Sequence, residues 1–339
     1  MAMTGTNSPS GASGARSRTR RSRDIWVLGG LFLLMIVGLA SLAAATGWQE
    51  TLDQIKRLSR LQIVLLFGLS LVNYGFRGLR WHLFANRLGL DTTLNQNMRH
   101  FIGGFAMSVT PGRVGELVRM RWIRRETGWS FESTAPLVLV DRASDLAAMA
   151  LILGLAITLS AGGIGGAVPV TILALLAAYV ATRPSLLAGI ATITYKSTGI
   201  WPRLFAKFRR AARSLARFSH PWVLVGAALL GLIGWMAEGY AFHLLLMWMG
   251  ADIGFWMAVA IFVFATLAGG LTGAPGGVGG AEAAMIALLM VQHVPLEVSV
   301  PATLIIRVTT LWFAIGIGLI VFPFAERLSL RGKDALEIR

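Results

Sequence analysis

Residues 134–160 read TAPLVLVDRASDLAAMALILGLAITLS. At 1.5 Å per residue this apolar run is long enough to cross about 30 Å of hydrocarbon, yet Asp141, Arg142 and Asp145 stand inside it. An ionised side chain at mid-bilayer costs about 2.5–3.5 kcal/mol on insertion scales, so each of these groups needs a partner or a purpose. Asp141 and Asp145 are four apart and share one helical face, which an opposite charge or water must line. Two readings follow. Either a carboxylate neutralises an arginine from a neighbouring helix and locks the bundle, or the face contacts a polar substrate.

Working outward, runs of the same kind occur near 25–46, 61–84, 167–190, 221–248 and 298–322, giving six spans with the first. Two further stretches, near 98–120 and 255–292, are apolar but interrupted by Pro111-Gly112 and Gly115 and by Pro275-Gly276-Gly277 and Gly279; each predicts a broken or re-entrant helix pair. The composition agrees: 339 residues, 55% hydrophobic and 14% charged, with a mean hydropathy of +0.66. Soluble domains rarely have this make-up. The expected architecture is all-α, a polytopic transmembrane helical bundle.

The net charge of +15 comes from basic residues gathered in Arg16–Arg23, Arg113–Arg125, Lys196–Arg217 and Arg327–Arg339. Short loops near 161–166, 250–254 and 293–297 carry no Lys or Arg. This is the positive-inside pattern, so a multi-pass protein of the bacterial inner membrane with both termini cytoplasmic is expected, and no nucleic-acid partner. The loop from Trp48 to Arg60, with Lys56, Arg57 and Arg60, runs against that orientation. Residues 1–23, rich in Ser, Gly and Arg, predict a disordered basic cytoplasmic tail, residues 24–324 the membrane domain and 325–339 a second cytoplasmic tail. The Arg20–Arg23 cluster before Ile25 resembles a twin-arginine signal, but the apolar run that follows is long enough to span and reads as an anchor. Segment 196–217, with Trp201, Phe205 and Phe208 among its cations, fits either an interfacial helix or a plain orientation signal.

With no cysteine, thiolate chemistry and iron–sulfur clusters are excluded, and the five histidines have no metal-ligand spacing; no metal and no cofactor are expected. His82 and His243 read as packing residues rather than proton carriers.

The two halves show a duplication. His82 pairs with His243, Pro111-Gly112 with Pro275-Gly276, Val114-Gly115 with Val278-Gly279, Pro136 with Pro301 and Arg142 with Arg307, at separations of 161, 164, 164, 165 and 165. In the topology above, the copy at 61–160 starts outside and the copy at 221–322 starts inside, which makes the repeat inverted. Inverted repeats with interrupted helices at matching positions point to a transporter's binding site.

Other charges fall at the interruptions. Arg113, Glu116 and Arg119 come just after the first Pro-Gly break, whose freed amides suit a phosphate. Arg121, Arg124 and Arg125 read as a solvated helix end. Arg307 lies deep in the last span, with Glu282 and Glu238 as its natural partners. Arg77 and Arg80, beside Trp81, are expected at the inner end of their span with their charges in the headgroups.

Arg80-Trp81, the Pro-Gly-x-x-Gly-Glu break at Pro111–Glu116, the acidic-Arg-x-x-Asp helix at Asp141–Asp145 and the Pro275–Gly279 break with Glu282 together resemble the membrane region of the lysylphosphatidylglycerol synthetase family, the flippase-like domain family. The likeness covers nearly everything from Leu61 to Phe322. Asp141 departs from it, since the family more often has Glu there. The resemblance implies a domain that moves a charged lipid between leaflets, and the soluble aminoacyl-transferring domain of bifunctional members is missing from this sequence. A stand-alone lipid translocator, not an enzyme, is therefore expected, moving a phospholipid, aminoacyl-phospholipid, glycolipid or hopanoid-type envelope lipid. Its partners would be membrane lipids, with room for a homo-oligomer. The residues expected to meet the substrate are Arg113, Glu116, Arg119, Asp141, Arg142, Asp145, Glu238, Glu282 and Arg307. A lipid-modifying transferase using Asp141 or Glu116 as general base, and a scaffold for envelope-lipid enzymes, are the alternatives.

Overall fold

The computed structural model describes residues 58–108, 110, 117–160 and 215–337, together with isolated positions between 30 and 56 and between 168 and 189. The basic tail at 1–23, most of the spans at 25–46 and 167–190, most of segment 196–217 and the whole Pro111–Glu116 break lie outside the described residues. The isolated positions, among them Gly30, Leu33, Val168 and Leu176, are helical.

Every regular element among the described residues is a helix. α1 (Arg60–Leu88) begins at Ser59, whose hydroxyl accepts from the Gln62 N–H at 3.3 Å while the Gln62 side chain accepts from Ser59 N at 2.8 Å. It ends at Gly89, with φ of 92°. α2 (Leu94–Gly104) repeats the same box with Thr93 and Gln96 and runs into a 3-10 turn at Phe105–Met107. α3 (Val118–Thr127) and α4 (Phe131–Leu159) follow, then α5 (Pro221–Trp248), α6 (Phe255–Leu271), a 3-10 turn at Pro275–Gly277, α7 (Gly280–Val291) and α8 (Leu296–Arg307). A π-helical turn at Val308–Trp312 joins α8 to α9 (Phe313–Glu337).

α1, α4, α5 and the combined α8–α9 helix are each long and apolar enough to cross a membrane. α2, α3 and α7, at 10 to 12 residues, fall well short of the roughly 20 that a crossing needs. The chain thus runs long, short, short, long, and does so twice: the long openers start at residues 60 and 221, the helices after them at 94 and 255, the closing helices at 131 and 296. The interruption between α6 and α7 has a local cause. Gly276, Gly277 and Gly279 take φ of 61°, 69° and 84°, a left-handed backbone open to glycine and strained for other residues.

α1 packs most extensively against α5, and the glycines of α5 fix how. A Cβ built on Gly234 would touch Asn73, one on Gly231 would lie 3.0 Å from Arg80 Nη1 and 3.1 Å from Ala148 Cβ, and one on Gly226 would meet Leu83. Residue numbers fall along α5 as they rise along α1, so the two helices are antiparallel. Gly231→Val is expected to cost about 1–3 kcal/mol by overpacking, read as a lower midpoint of thermal unfolding in detergent; an unchanged midpoint contradicts the close contact.

The closing helix of each series packs on the short helices of the other: α4 lies against α6, and α9 against α2 and α3. A large apolar core joins Ile152 and Leu153 of α4 to Phe242, Val259, Phe262 and Met285. A second, more aromatic, gathers Trp81, Phe84, Phe101, Phe105 and Val140. α9 continues past Phe324, where a tail was expected, and its further turns dock on α3 through Glu326 and Ser329.

Candidate functional site

The carboxylates of the opening stretch have arginine partners, and these come from α1. Arg77 grips Asp145 with both prongs of its fork, Nη2 to Oδ2 at 2.7 Å and Nε to Oδ1 at 3.1 Å. Arg80 reaches Asp141 Oδ1 at 2.7 Å and Asp145 Oδ1 at 2.6 Å with Nη2, and Asp141 Oδ1 again with Nε at 3.2 Å. All four residues are buried. The network is braced on both sides: Asn73 Oδ1 accepts from Arg77 Nη1 at 3.3 Å, and the Trp235 indole N–H donates to Asp145 Oδ1 at 3.1 Å. The Trp235 ring also lies 4.8 Å beneath the Arg77 guanidinium. Gly231 and Gly234 leave the room on α5 that these arginines fill.

This corrects the headgroup expectation for Arg77 and Arg80. They turn inward because Asp141 and Asp145, four apart on α4, present two carboxylates to two guanidiniums three apart on α1. Charge-assisted hydrogen bonds of this kind offset the desolvation that snorkelling would have avoided. Complementary spacing on two spans was the signal available in the sequence. Arg142 points elsewhere: its side chain is 29% exposed, and its Nη1 lies 3.6 Å from Asp145 Oδ2.

A second buried pair sits in the other series. Arg307 Nε meets Glu282 Oε1 at 2.6 Å, and Nη2 donates to the Gly276 carbonyl at 2.8 Å. The other Glu282 oxygen accepts from Gly279 N at 2.7 Å, capping α7. Of the two expected partners for Arg307, Glu282 is therefore the one in contact. Glu238 is buried on α5, within electrostatic reach of Tyr74, which also feels Arg77. The Tyr74 hydroxyl donates to the carbonyl of Thr310, inside the π turn that follows Arg307. Tyr74 thus ties α1 to the turn that follows Arg307.

Arg119 is buried, its guanidinium 4.6 Å from the Phe101 ring and 5.2 Å from that of Trp81. Arg121 and Arg125, expected in solvent, both hold Glu326, at 2.9 and 2.7 Å, and Trp122 Nε1 donates to it at 2.8 Å. Glu126 is similarly held by Arg99 at 2.6 Å. Arg113, Glu116, Pro111, Gly112 and Gly115 lie outside the described residues. His82 bonds to Asn86 and Asn97, and His243 stacks on Tyr240 and Phe255, as packing residues do. No group of acidic, histidine or cysteine side chains able to hold a metal occurs among the described residues.

Long apolar helices carrying internally paired charges define the class: a multi-pass helical membrane protein. Residues 26–318 match the family model for the transmembrane region of lysylphosphatidylglycerol synthase, and the chain belongs to that family. It is also similar to a UPF0104 membrane protein of Methanothermobacter thermautotrophicus, 24% identical over 334 residues, spanning 90% of this chain and 98% of the relative. A second UPF0104 membrane protein match from that organism is 31% identical over 108 residues, covering 32% of this chain and 31% of the relative.

Proposed function

We propose that this protein is a lipid translocator that carries the headgroup of an envelope lipid between leaflets, with both termini cytoplasmic in a bacterial inner membrane. The carrying observation is the set of buried ion pairs on or against membrane-crossing helices: Arg77 and Arg80 with Asp141 and Asp145, and Arg307 with Glu282 of the short α7. A scaffold gains little from such pairs, because apolar residues of similar volume hold a bundle at least as well.

The antiparallel crossing of α1 and α5 supports an inverted repeat. At the separation of 161 read between His82 and His243, Asn73 corresponds to Gly234 and Arg77 to Glu238, and Asn73 and Gly234 meet at the crossing. Corresponding helices that touch near one point and run in opposite directions are related as two inverted copies about an in-plane axis are. The short helix pairs α2–α3 and α6–α7 are then the re-entrant segments of each copy. Arg142, partly exposed within its span, is the first cation an anionic headgroup meets. Arg113, Glu116 and Arg119 at one break and Glu282 and Arg307 at the other complete the path, with Asp141, Asp145 and Glu238 balancing charge when it is empty. Acyl chains remain in lipid.

Purified protein in phosphatidylcholine–phosphatidylglycerol vesicles, with a fluorescent phosphatidylglycerol reporter and leaflet-selective quenching, tests this. Transbilayer movement is expected with the native chain and is expected to fall to the protein-free rate in Arg142→Gln and Glu116→Gln, both of which should express normally. Movement at the native rate in both variants removes them from the path. A chemically altered lipid would instead favour a transferase.

A further inference from the structure

Two arginines meet where the end of α1 adjoins the turn that leads into α5, and no carboxylate among the described residues answers them. Arg87, in the last turn of α1, donates from Nε to the Arg217 carbonyl at 3.1 Å, while Arg217 Nη1 donates to the Leu88 carbonyl at 2.9 Å. Each side chain is fastened to the main chain beside the other, so two like charges are held together, both on exposed residues. These bonds leave most of the N–H donors of the two guanidiniums clear of protein acceptors. Arg99, Arg121 and Arg125, on the short helices α2 and α3, each hold a glutamate; Arg87 and Arg217 hold only carbonyls. Asp91, the next acid along the chain from Arg87, is exposed and pairs with neither.

Packing sets this juxtaposition. Phe218 is buried and meets Phe84 of α1 edge-on, ring centroids 5.6 Å apart, which seats the 3-10 turn Leu215–Phe218 against α1. The missing side chain of Gly226 then lets Leu83 of α1 approach α5. Beyond the arginines the surface turns apolar: Trp222 is 79% exposed at the start of α5, and Val225, Leu229 and Ile233 continue the exposed strip at helical spacing. An exposed tryptophan at the end of a membrane-crossing helix marks the headgroup level.

We propose that Arg87 and Arg217 clasp the phosphate of an anionic phospholipid, held as a resident ligand with its acyl chains along α5 from Trp222 towards Ile233. Guanidiniums bind phosphate through paired, charge-assisted hydrogen bonds, and basic sites between membrane helices take anionic headgroups. Net charge selects the headgroup: an anionic lipid offsets the repulsion between the arginines, whereas a zwitterionic one brings a further cation to them. The apolar strip selects a lipid over free phosphate, which has nothing to lay on it. The bound lipid ties the end of α1 to the entry of α5. It does not depend on the translocator reading, since it is held whether or not the chain moves other lipids.

Full-length protein, stripped of co-purifying lipid in detergent, is titrated with phosphatidylglycerol, with phosphatidylcholine of the same chain length and with inorganic phosphate. Binding is followed by native mass spectrometry and by the midpoint of thermal unfolding. Phosphatidylglycerol is expected to appear as a bound adduct and to raise the midpoint; phosphatidylcholine and inorganic phosphate are expected to do neither. In Arg87→Gln with Arg217→Gln, where each glutamine keeps an N–H for its carbonyl, phosphatidylglycerol should bind about tenfold more weakly or worse. Arg331→Gln, which removes an exposed arginine of α9, should bind it as the native chain does. If the double variant does not fold, Arg217→Gln alone should show a smaller loss in the same direction. Unchanged phosphatidylglycerol binding in these variants overturns the site, and an equal loss in Arg331→Gln reduces it to diffuse attraction by a basic surface. Inorganic phosphate that raises the midpoint as far as phosphatidylglycerol overturns the lipid as occupant, and phosphatidylcholine that does so overturns recognition by charge.

Discussion

Asp145→Ala is expected to destabilise the protein by about 3–5 kcal/mol, the usual consequence of removing one partner from a buried ion pair. Asp145 is where four donors from three residues converge: both prongs of Arg77, Nη2 of Arg80 and the indole of Trp235. Its loss leaves Arg77 without a carboxylate partner and Arg80 on Asp141 alone, inside helices that hydrocarbon surrounds. The measurement is the midpoint of thermal unfolding in detergent, with monodispersity as a companion. The sharper check is a cycle with Arg77→Met. If the cost is stranded charge, the double variant recovers a large part of what Asp145→Ala loses, because it removes an arginine that no longer has a counter-ion. If the double variant is worse than either single one by the sum of their effects, the pair is not coupled and the network is not what holds α1 to α4.

Arg307→Leu carries the other large effect, again about 3–5 kcal/mol, by leaving Glu282 buried without its guanidinium. Here the damage should be local. Glu282 still accepts from Gly279 N, so α7 keeps its cap, while the Gly276 carbonyl loses its donor and the turn at Pro275–Gly277 loses its tie to α8. Hydrogen exchange is therefore expected to rise in α7 and in residues 272–280 before it rises in α1 or α4. Glu282→Gln keeps one acceptor oxygen but sets its amide NH2 group against either Arg307 or the Gly279 N–H, so it should also be destabilising. Equal loss of protection across all helices contradicts the view that this pair serves the second break.

Much of this arrangement was legible in the sequence because membrane insertion makes polar residues conspicuous. The four long helices, the interruption at Pro275–Gly279 and the need for a cation beside Asp141 and Asp145 all follow from apolar run length and the cost of buried charge. What escaped was direction. Arg77 and Arg80 were placed in the headgroups because the apolar run was closed at residue 84, whereas α1 continues to Leu88 and presses its polar face on α5. A single run shows that an arginine is near a span end; only a partner helix shows which way it turns. Trp235 could not be singled out among the 11 tryptophans, because its indole N–H matters only through the carboxylate it meets. Glu326 was assigned to a tail by composition, yet it anchors α9 to Arg121 and Arg125, a contact between residues some 200 positions apart. The π turn after Arg307 has no compositional mark at all.

On the translocator reading, lipid passage requires the two series to move against each other. α9 of one series is seated on α2 and α3 of the other, where a Cβ on Gly318 would overlap the backbone at Phe105 and Ala106.

The chain has no cysteine, and a Cβ on Gly103 would lie 3.5 Å from that of Ala325, within the roughly 3.5–4.5 Å that a disulfide spans. Gly103→Cys with Ala325→Cys therefore allows α2 to be tied to α9 by oxidation and released by reduction in the same vesicles. Reporter-lipid movement should stop on oxidation and return on reduction. Movement that proceeds equally fast in both states, or that never exceeds the protein-free rate in either, contradicts passage between the two series.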